Sequence, residues 1–293
     1  MAILSKTRKI LWANSGCQCA FPGCEQSLIV NRTVIGEECH IVAREPGGAR
    51  YNANLSDDER DGIDNLILLC SVHHKIIDDN EETYTIETLR DMKRKHELLV
   101  AQNKTRKADE ETLLSWVYMW YSDLEVDEWS KWSTMLLSND RPTCTESVID
   151  MMPKVSRFIF TRPWPTHYIN VNKVFLDFMR KMDSFYSAFM RHSVKIGDEY
   201  WTELFYKIRE WNSPLYNKKL DDYRNHVDNV CKLTKEMTKS ANFLCEIVRN
   251  ELDSSFMLDE GKLMVAEGPD ISLNWVRSIP EYSDEEKSII LGS

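Results

Sequence analysis

The sequence predicts an α+β protein in two parts: a small N-terminal domain of short strands and helices, followed by a mainly α-helical bundle. Three observations predict it. Five of the eight cysteines and four of the seven histidines fall in residues 1–108, whereas eight of the nine tryptophans fall in residues 109–293. The first part is nearly neutral, with 15 Lys and Arg against 16 Asp and Glu; the second is acidic, with 22 against 31. The hydrophobic spacing also changes, from short apolar runs to long stripes at steps of three and four. Between the parts lies AQNKTRKADEE, which reads as a linker or as the solvated end of a helix, and the domain boundary is set after residue 108.

A chain of 293 residues can bury a substantial core. With only 10 Gly and 9 Pro it is neither collagen-like nor a low-complexity linker. No apolar run approaches the roughly 20 residues a bilayer requires. The opening MAILSKTRKILWANSG lacks a continuous apolar stretch before a small-residue cleavage site, so a soluble cytoplasmic protein without membrane partners is expected. In such a compartment clustered Cys and His more often bind metal than form disulfides.

In the first part, residues 6–14 read as a short helix stopped by Gly16. Residues 35–42 and 65–69 are strand candidates. Ser71 is placed to cap one helix, and Thr85 another running to about residue 102. The loop between the strands, REPGGARYNANLSDDERDGID, is too long for a hairpin turn, and loops of that size are often functional. In the second part, two helices are expected in residues 110–138. Val171, Val174, Phe175, Phe178, Met182, Phe185 and Phe189 mark another, and Trp201, Leu204, Phe205, Ile208 and Trp211 mark a shorter one in residues 199–211. The stretch from Asn217 to Leu252, without Gly or Pro and striped from Leu220 to Ile247, predicts a helix of roughly 50 Å, long enough to organise a bundle or an oligomer. The aromatic residues at helical spacing read as core, FTRPWPTHYIN as an inter-helix connection, and Cys144, Cys231, Cys245, His192 and His226 as structural.

Two thiols in CAFPGC and a Cys-x-x-His pair in LLCSVHHKIID make a four-ligand set of the kind zinc takes in a closed tetrahedral structural site. The set is Cys24, Cys70 and His73 with either Cys19 or its neighbour Cys17. His73 and His74 point about 100° apart on a helix, so they serve different sites. Asp78 lies one turn beyond His74. Together they form either an ordinary i, i+4 surface pair or a half-open site for Mg²⁺ or a first-row ion. His40 ends the strand EECHIVA; alone it would read as structural, and only its company marks it out.

Gly16-x-x-Cys19, Cys24, Glu38-Cys39-His40-Ile41, Asn65 through Cys70-x-x-His73-His74, and Asp78 resemble the HNH endonuclease family, a ββα-metal fold. The wider run through GGARYNANLSDDERDGIDNLILLC and YTIETLRDMKRKHE is similar to the HNH module of bacterial anti-phage (CBASS-type) nuclease effectors, over about a third of the chain (residues 8–100). The resemblance implies a zinc-stabilised HNH domain in residues 1–108 and favours Cys19 as the fourth zinc ligand. It implies His40 as the general base, Asn65 as the residue fixing the His40 ring, and a catalytic divalent ion (Mg²⁺, Mn²⁺ or Ni²⁺) on His74 and Asp78. Family members commonly carry Asp or His just before the base. Here that residue is Cys39, a poor partner for Mg²⁺, which either meets a softer ion or only packs.

The substrate implied is double-stranded DNA, cut with little sequence preference. Arg44, Arg50, Arg60, Lys93 and Arg94 flank the site, with Lys95 beside them, and are the expected phosphate contacts. Residues 109–293 lack the alternating strands and helices of a SAVED sensor domain, so they are expected to mediate oligomerisation or docking to a separate sensor protein. Two other classes stay open: a catalytically silent zinc module that binds DNA or protein, and a nuclease of a mobile element or restriction system.

Overall fold

The computed structural model describes residues 3–137, 140–209, 212–269, 272 and 274–292. The chain is mixed α/β, about 56% helical with small sheets. It divides into two compact units, Met1–Ala108 and Asp109–Ser293. No described helix is long and apolar enough to cross a membrane.

The first unit opens with α1 (Ser5–Asn14), after which Gly16 adopts φ +57°. A side chain at Gly16 would also press on Val100 at 3.0 Å, so conformation and space both require glycine. A small hairpin, β1 (Ile29–Val30) and β2 (Thr33–Val34), turns on Asn31 and Arg32, both left-handed as a two-residue turn of primed type demands. The frame of the unit is β3 (Gly36–His40) antiparallel to β4 (Leu66–Cys70), in register from Gly36 opposite Cys70 to His40 opposite Leu66. Every residue of β4 is buried, which is why it reads as an unbroken apolar run. The long connection between these strands holds one turn, α2 (Asp57–Arg60), which Ser56 and Glu59 close with a capping box. Directly after β4 comes α3 (Ser71–Asp79); its cap is the Cys70 sulfur, which accepts from His73 N–H, and not Ser71.

Thr85 does cap the next helix, its hydroxyl accepting from Thr88 N–H at 3.2 Å. That helix, α4 (Ile86–Asp123), does not stop near residue 102 but runs through AQNKTRKADEE and past the Ala108/Asp109 division. The segment contains no Gly or Pro and is rich in Ala, Lys, Arg, Gln and Glu, so nothing in it interrupts a helix.

The second unit continues with α5 (Trp129–Leu136), β5 (Thr143–Thr145), α6 (Glu146–Phe160) and α7 (Ile169–Met190). There follow β6 (Ser193–Ile196), β7 (Glu199–Thr202) and α8 (Ser213–Glu251), then β8 (Val265–Glu267), β9 (Val276–Ser278) and α9 (Asp284–Leu291). Its core is aromatic. Trp120, Trp129, Trp132, Phe175, Phe178, Phe185 and Phe189 are buried, and Trp120 meets Phe178 edge-on at 5.2 Å.

The unit is not purely a bundle, and the helix expected in residues 199–211 is absent from its described residues. There β7 is the centre of a three-stranded sheet, β5-β7-β6, and Trp211 lies outside the described residues. Gly197 at φ +63° turns β6 back on β7, and Thr202 accepts from the Arg141 guanidinium while donating its hydroxyl to Pro142. Helical spacing of aromatics was outweighed by a glycine turn and an available strand partner. FTRPWPTHYIN is a connection, tied to Asp109 through the Thr166 and His167 amides, with Trp164 packed on Trp116 and Phe175.

His226 on α8 lies beside His192, with ring centroids 5.0 Å apart, and its Nε2 is buried without a hydrogen-bond partner among the described residues. Burial, and then the nearby His192 and Arg191, lower its pKa from 6.5 to about 4. Unfolded, the ring takes up a proton below 6.5; folded, it stays neutral to about 4. Stability contributed by the neutral ring is therefore present above pH 6.5 and lost as pH falls toward 4. The thermal midpoint of the second unit should drop across that window, and His226→Gln should flatten the drop.

Candidate metal centres and the strand-end histidine

The knuckle at residues 19–24 lies against the β4–α3 junction. Ala20 N–H donates to Leu68 at 2.9 Å, and Cys70 N–H to the Cys19 sulfur at 3.3 Å. The donor atoms of Cys19, Cys24, Cys70 and His73 lie within 4.8 Å of one another. A tetrahedral ion about 2.3 Å from sulfur and about 2.0 Å from nitrogen sets those atoms roughly 3.5 Å apart. His73 Nδ1 stands 3.6 Å from Cys19 Sγ and 3.1 Å from Cys70 Sγ, which fits. Phe21 stacks on the His73 ring at 3.9 Å and fixes its plane. These four residues can hold a metal ion such as zinc. Cys17 is exposed and faces the Trp12 carbonyl, outside the group, so of the two candidate thiols it is Cys19 that converges. Burial pushes the Cys19 thiol up to about 12.

A second group forms where α3 packs on β3. Glu37 and Cys39 alternate along the strand and so share a face, and the donor atoms of Glu37, Cys39 and His74 lie within 4.8 Å of one another. His74 Nδ1 is 2.5 Å from Glu37 Oε2, and its Nε2 is 3.2 Å from Asp78 Oδ2. Of the expected His74, Asp78 and Cys39, the first and last converge with Glu37, which stands on the Nδ1 side, while Asp78 meets the other ring nitrogen and the Arg50 guanidinium. Cys39 is buried, donates to the Glu37 carbonyl at 3.4 Å, and has its thiol pKa raised by burial and then by the Glu37 and Asp78 carboxylates. A thiol held protonated in this way suits packing better than binding a hard ion.

His40 ends β3 half-buried, its Nε2 3.2 Å from Asp61 Oδ1. Asn65 does not touch the ring. Its Oδ1 accepts from Val42 N–H, and its Nδ2 donates to the Val42 and Arg60 carbonyls, each at 2.9 Å. Asn65 is thus a backbone staple just beyond His40, and Asp61 is the residue that orients the imidazole.

Three of the five expected phosphate contacts are internal. Arg60 is buried over the Tyr51 ring and donates to the Leu55, Arg44 and Asn52 carbonyls. Arg50 has only 4% of its side chain exposed. Lys93 is buried and paired with Glu97. Arg44 is partly exposed near Asp61, while Arg94 and Lys95 are exposed and paired with Asp91. Sequence reasoning passed over Glu37 and Asp61. Strand alternation two residues before Cys39 would have found Glu37; Asp61 closes the single turn of α2, with no pattern to mark it. No protein-family model and no curated protein matches the chain.

Purified protein should carry about one tightly held zinc per chain, lost in Cys24→Ser and Cys70→Ser. Because the ion must displace the Cys19 proton, chelator competition should show zinc affinity falling as pH falls. Asn65→Ala should destabilise the first unit by about 1–3 kcal/mol in urea unfolding, since it strands buried backbone groups.

Proposed function

We propose that the first unit is a metal-dependent endonuclease of the HNH type that hydrolyses DNA phosphodiester bonds with little sequence preference. The observation that supports this most is a pair of carboxylate-held histidines on one β–β–α arrangement. His40 rests on Asp61 at the end of β3, and His74 lies between Glu37 and Asp78 on α3. Arg50 ties the two together, donating to the Ile41 carbonyl next to His40 and to Asp78.

With Nε2–H donated to Asp61, His40 keeps a lone pair on Nδ1 and can take a proton from water. The water oxygen then attacks phosphorus and the P–O3′ bond breaks, the leaving oxygen taking a proton from solvent. A divalent ion held by Glu37 and His74 would offset charge on the phosphate and leaving oxygens. The Cys19, Cys24, Cys70 and His73 group would hold structural zinc. The partly exposed Arg44 and the exposed Arg94 are left to meet the DNA backbone, giving salt-sensitive binding. The second unit would then restrain the nuclease, through oligomerisation or a sensor partner, in a cytoplasmic anti-phage role. A second reading, a silent zinc module, is favoured by the protonated Cys39 thiol and by the burial of Arg50, Arg60 and Lys93.

Supercoiled plasmid incubated with the protein in Mg²⁺, Mn²⁺ or Ni²⁺ separates the two. Cleavage that falls by about 10²-fold or more in His40→Ala, with zinc retained, is expected for the nuclease. Cleavage unaffected by His40→Ala, or absent in every ion, would favour the silent module.

A further inference from the structure

The Asp78 carboxylate is divided between two partners. Its Oδ1 accepts from Arg50 Nη2 at 2.5 Å, and its Oδ2 lies 3.2 Å from His74 Nε2. Across the same ring, His74 Nδ1 faces Glu37 within the converging group. Arg50 is held from several sides. Its Nε donates to the Ile41 carbonyl at 2.8 Å, its Nη1 to the Ile77 carbonyl at 2.7 Å, and its backbone N–H to Glu81 at 2.8 Å. Its own backbone is left-handed, at φ +56°, in a loop whose Gly47 is left-handed too. A cation so fixed, 2.5 Å from Asp78, repels a second cation from that carboxylate.

We propose that Arg50 and Asp78 are positioning residues acting through His74, rather than a phosphate contact and an ion ligand. Arg50 locks the Asp78 carboxylate; Asp78 accepts the His74 Nε2 proton and so presents Nδ1 as the lone pair that meets a divalent cation alongside Glu37. An imidazole ligand oriented by a carboxylate on its other nitrogen is more basic and fixed in one tautomer. The ion then sees one carboxylate, one imidazole and water, a donor set of intermediate hardness that suits Mn²⁺. This assignment rests on the ion site of the nuclease reading but not on cleavage itself.

The test is Mn²⁺ titration of the zinc-loaded full chain, with free Mn²⁺ followed by its electron paramagnetic resonance signal. Asp78→Asn should weaken Mn²⁺ binding by about 10–100-fold, with zinc content and the far-ultraviolet circular dichroism spectrum unchanged. Arg50→Lys keeps the charge, loses the planar fork, and should weaken binding within the same range, whereas Glu37→Gln should abolish saturable binding. Loss in Asp78→Asn as complete as in Glu37→Gln would make Asp78 a direct ligand and overturn the proposal, as would unchanged affinity. A parent protein that binds no Mn²⁺ overturns it together with the ion site. Mn²⁺ binding with the expected losses but no DNA cleavage in any ion leaves this assignment standing and removes the nuclease reading.

Discussion

The first unit depends on the meeting of the 19–24 knuckle with the β4–α3 junction, where Cys19, Cys24, Cys70 and His73 converge. That junction joins residues more than fifty positions apart, so an ion there closes a long loop in a domain with a modest aliphatic core. Other features follow from it. With Cys70 held, β4 is anchored in register against β3, and α3 starts at a set point with His73 turned inward. His74, one residue on, is then turned about 100° away toward β3 and Glu37. One structural contact therefore positions a second group of donor atoms with different chemistry.

Between β3 and β4 the polar loop is organised by two arginines. Arg50 and Arg60 end in networks of backbone carbonyls, which a rigid guanidinium with five donors can satisfy at once. A loop of this length, with little regular structure, presents carbonyls that neither helix nor sheet can pair; Arg60 satisfies several of them, while Arg50 ties the loop to Ile77 and Asp78 on α3. The same side chains would be costly to bury without such partners. Their charge is thus absorbed by the fold, and the cation beside His40, the partly exposed Arg44, is paired with the largely covered Asp61.

The second unit obtains its order from aromatic packing. Trp129 combines contact with Trp132 and a hydrogen bond from its indole to Thr238 on α8, so a large apolar side chain is also held in one orientation. The half-buried Asp177 accepts from both the Ser240 and Tyr282 hydroxyls, which joins α7, α8 and the segment leading into α9. Burial, followed by the Asp177 charge, raises the Tyr282 pKa, so that hydroxyl remains a donor.

By itself the sequence determined the features written in local pattern. The Cys and His spacing pointed to the first group able to hold a metal, the unbroken Leu66–Leu69 run located a buried strand, and the apolar stripes located α7 and α8, because each signal depends on a few neighbouring residues. Only the tertiary structure decided what depends on partners distant in the chain. It turned residues 199–202 into a strand, since β5 and β6 were there to pair with them. It set Glu37 on the Nδ1 side of His74 with Asp78 on the other, and brought Asp61 to the His40 ring. It also drew Arg50 and Arg60 inward. Charge and residue type are properties of the sequence, but whether a charged group meets solvent or a buried carbonyl is set by which backbone segments the fold leaves unpaired.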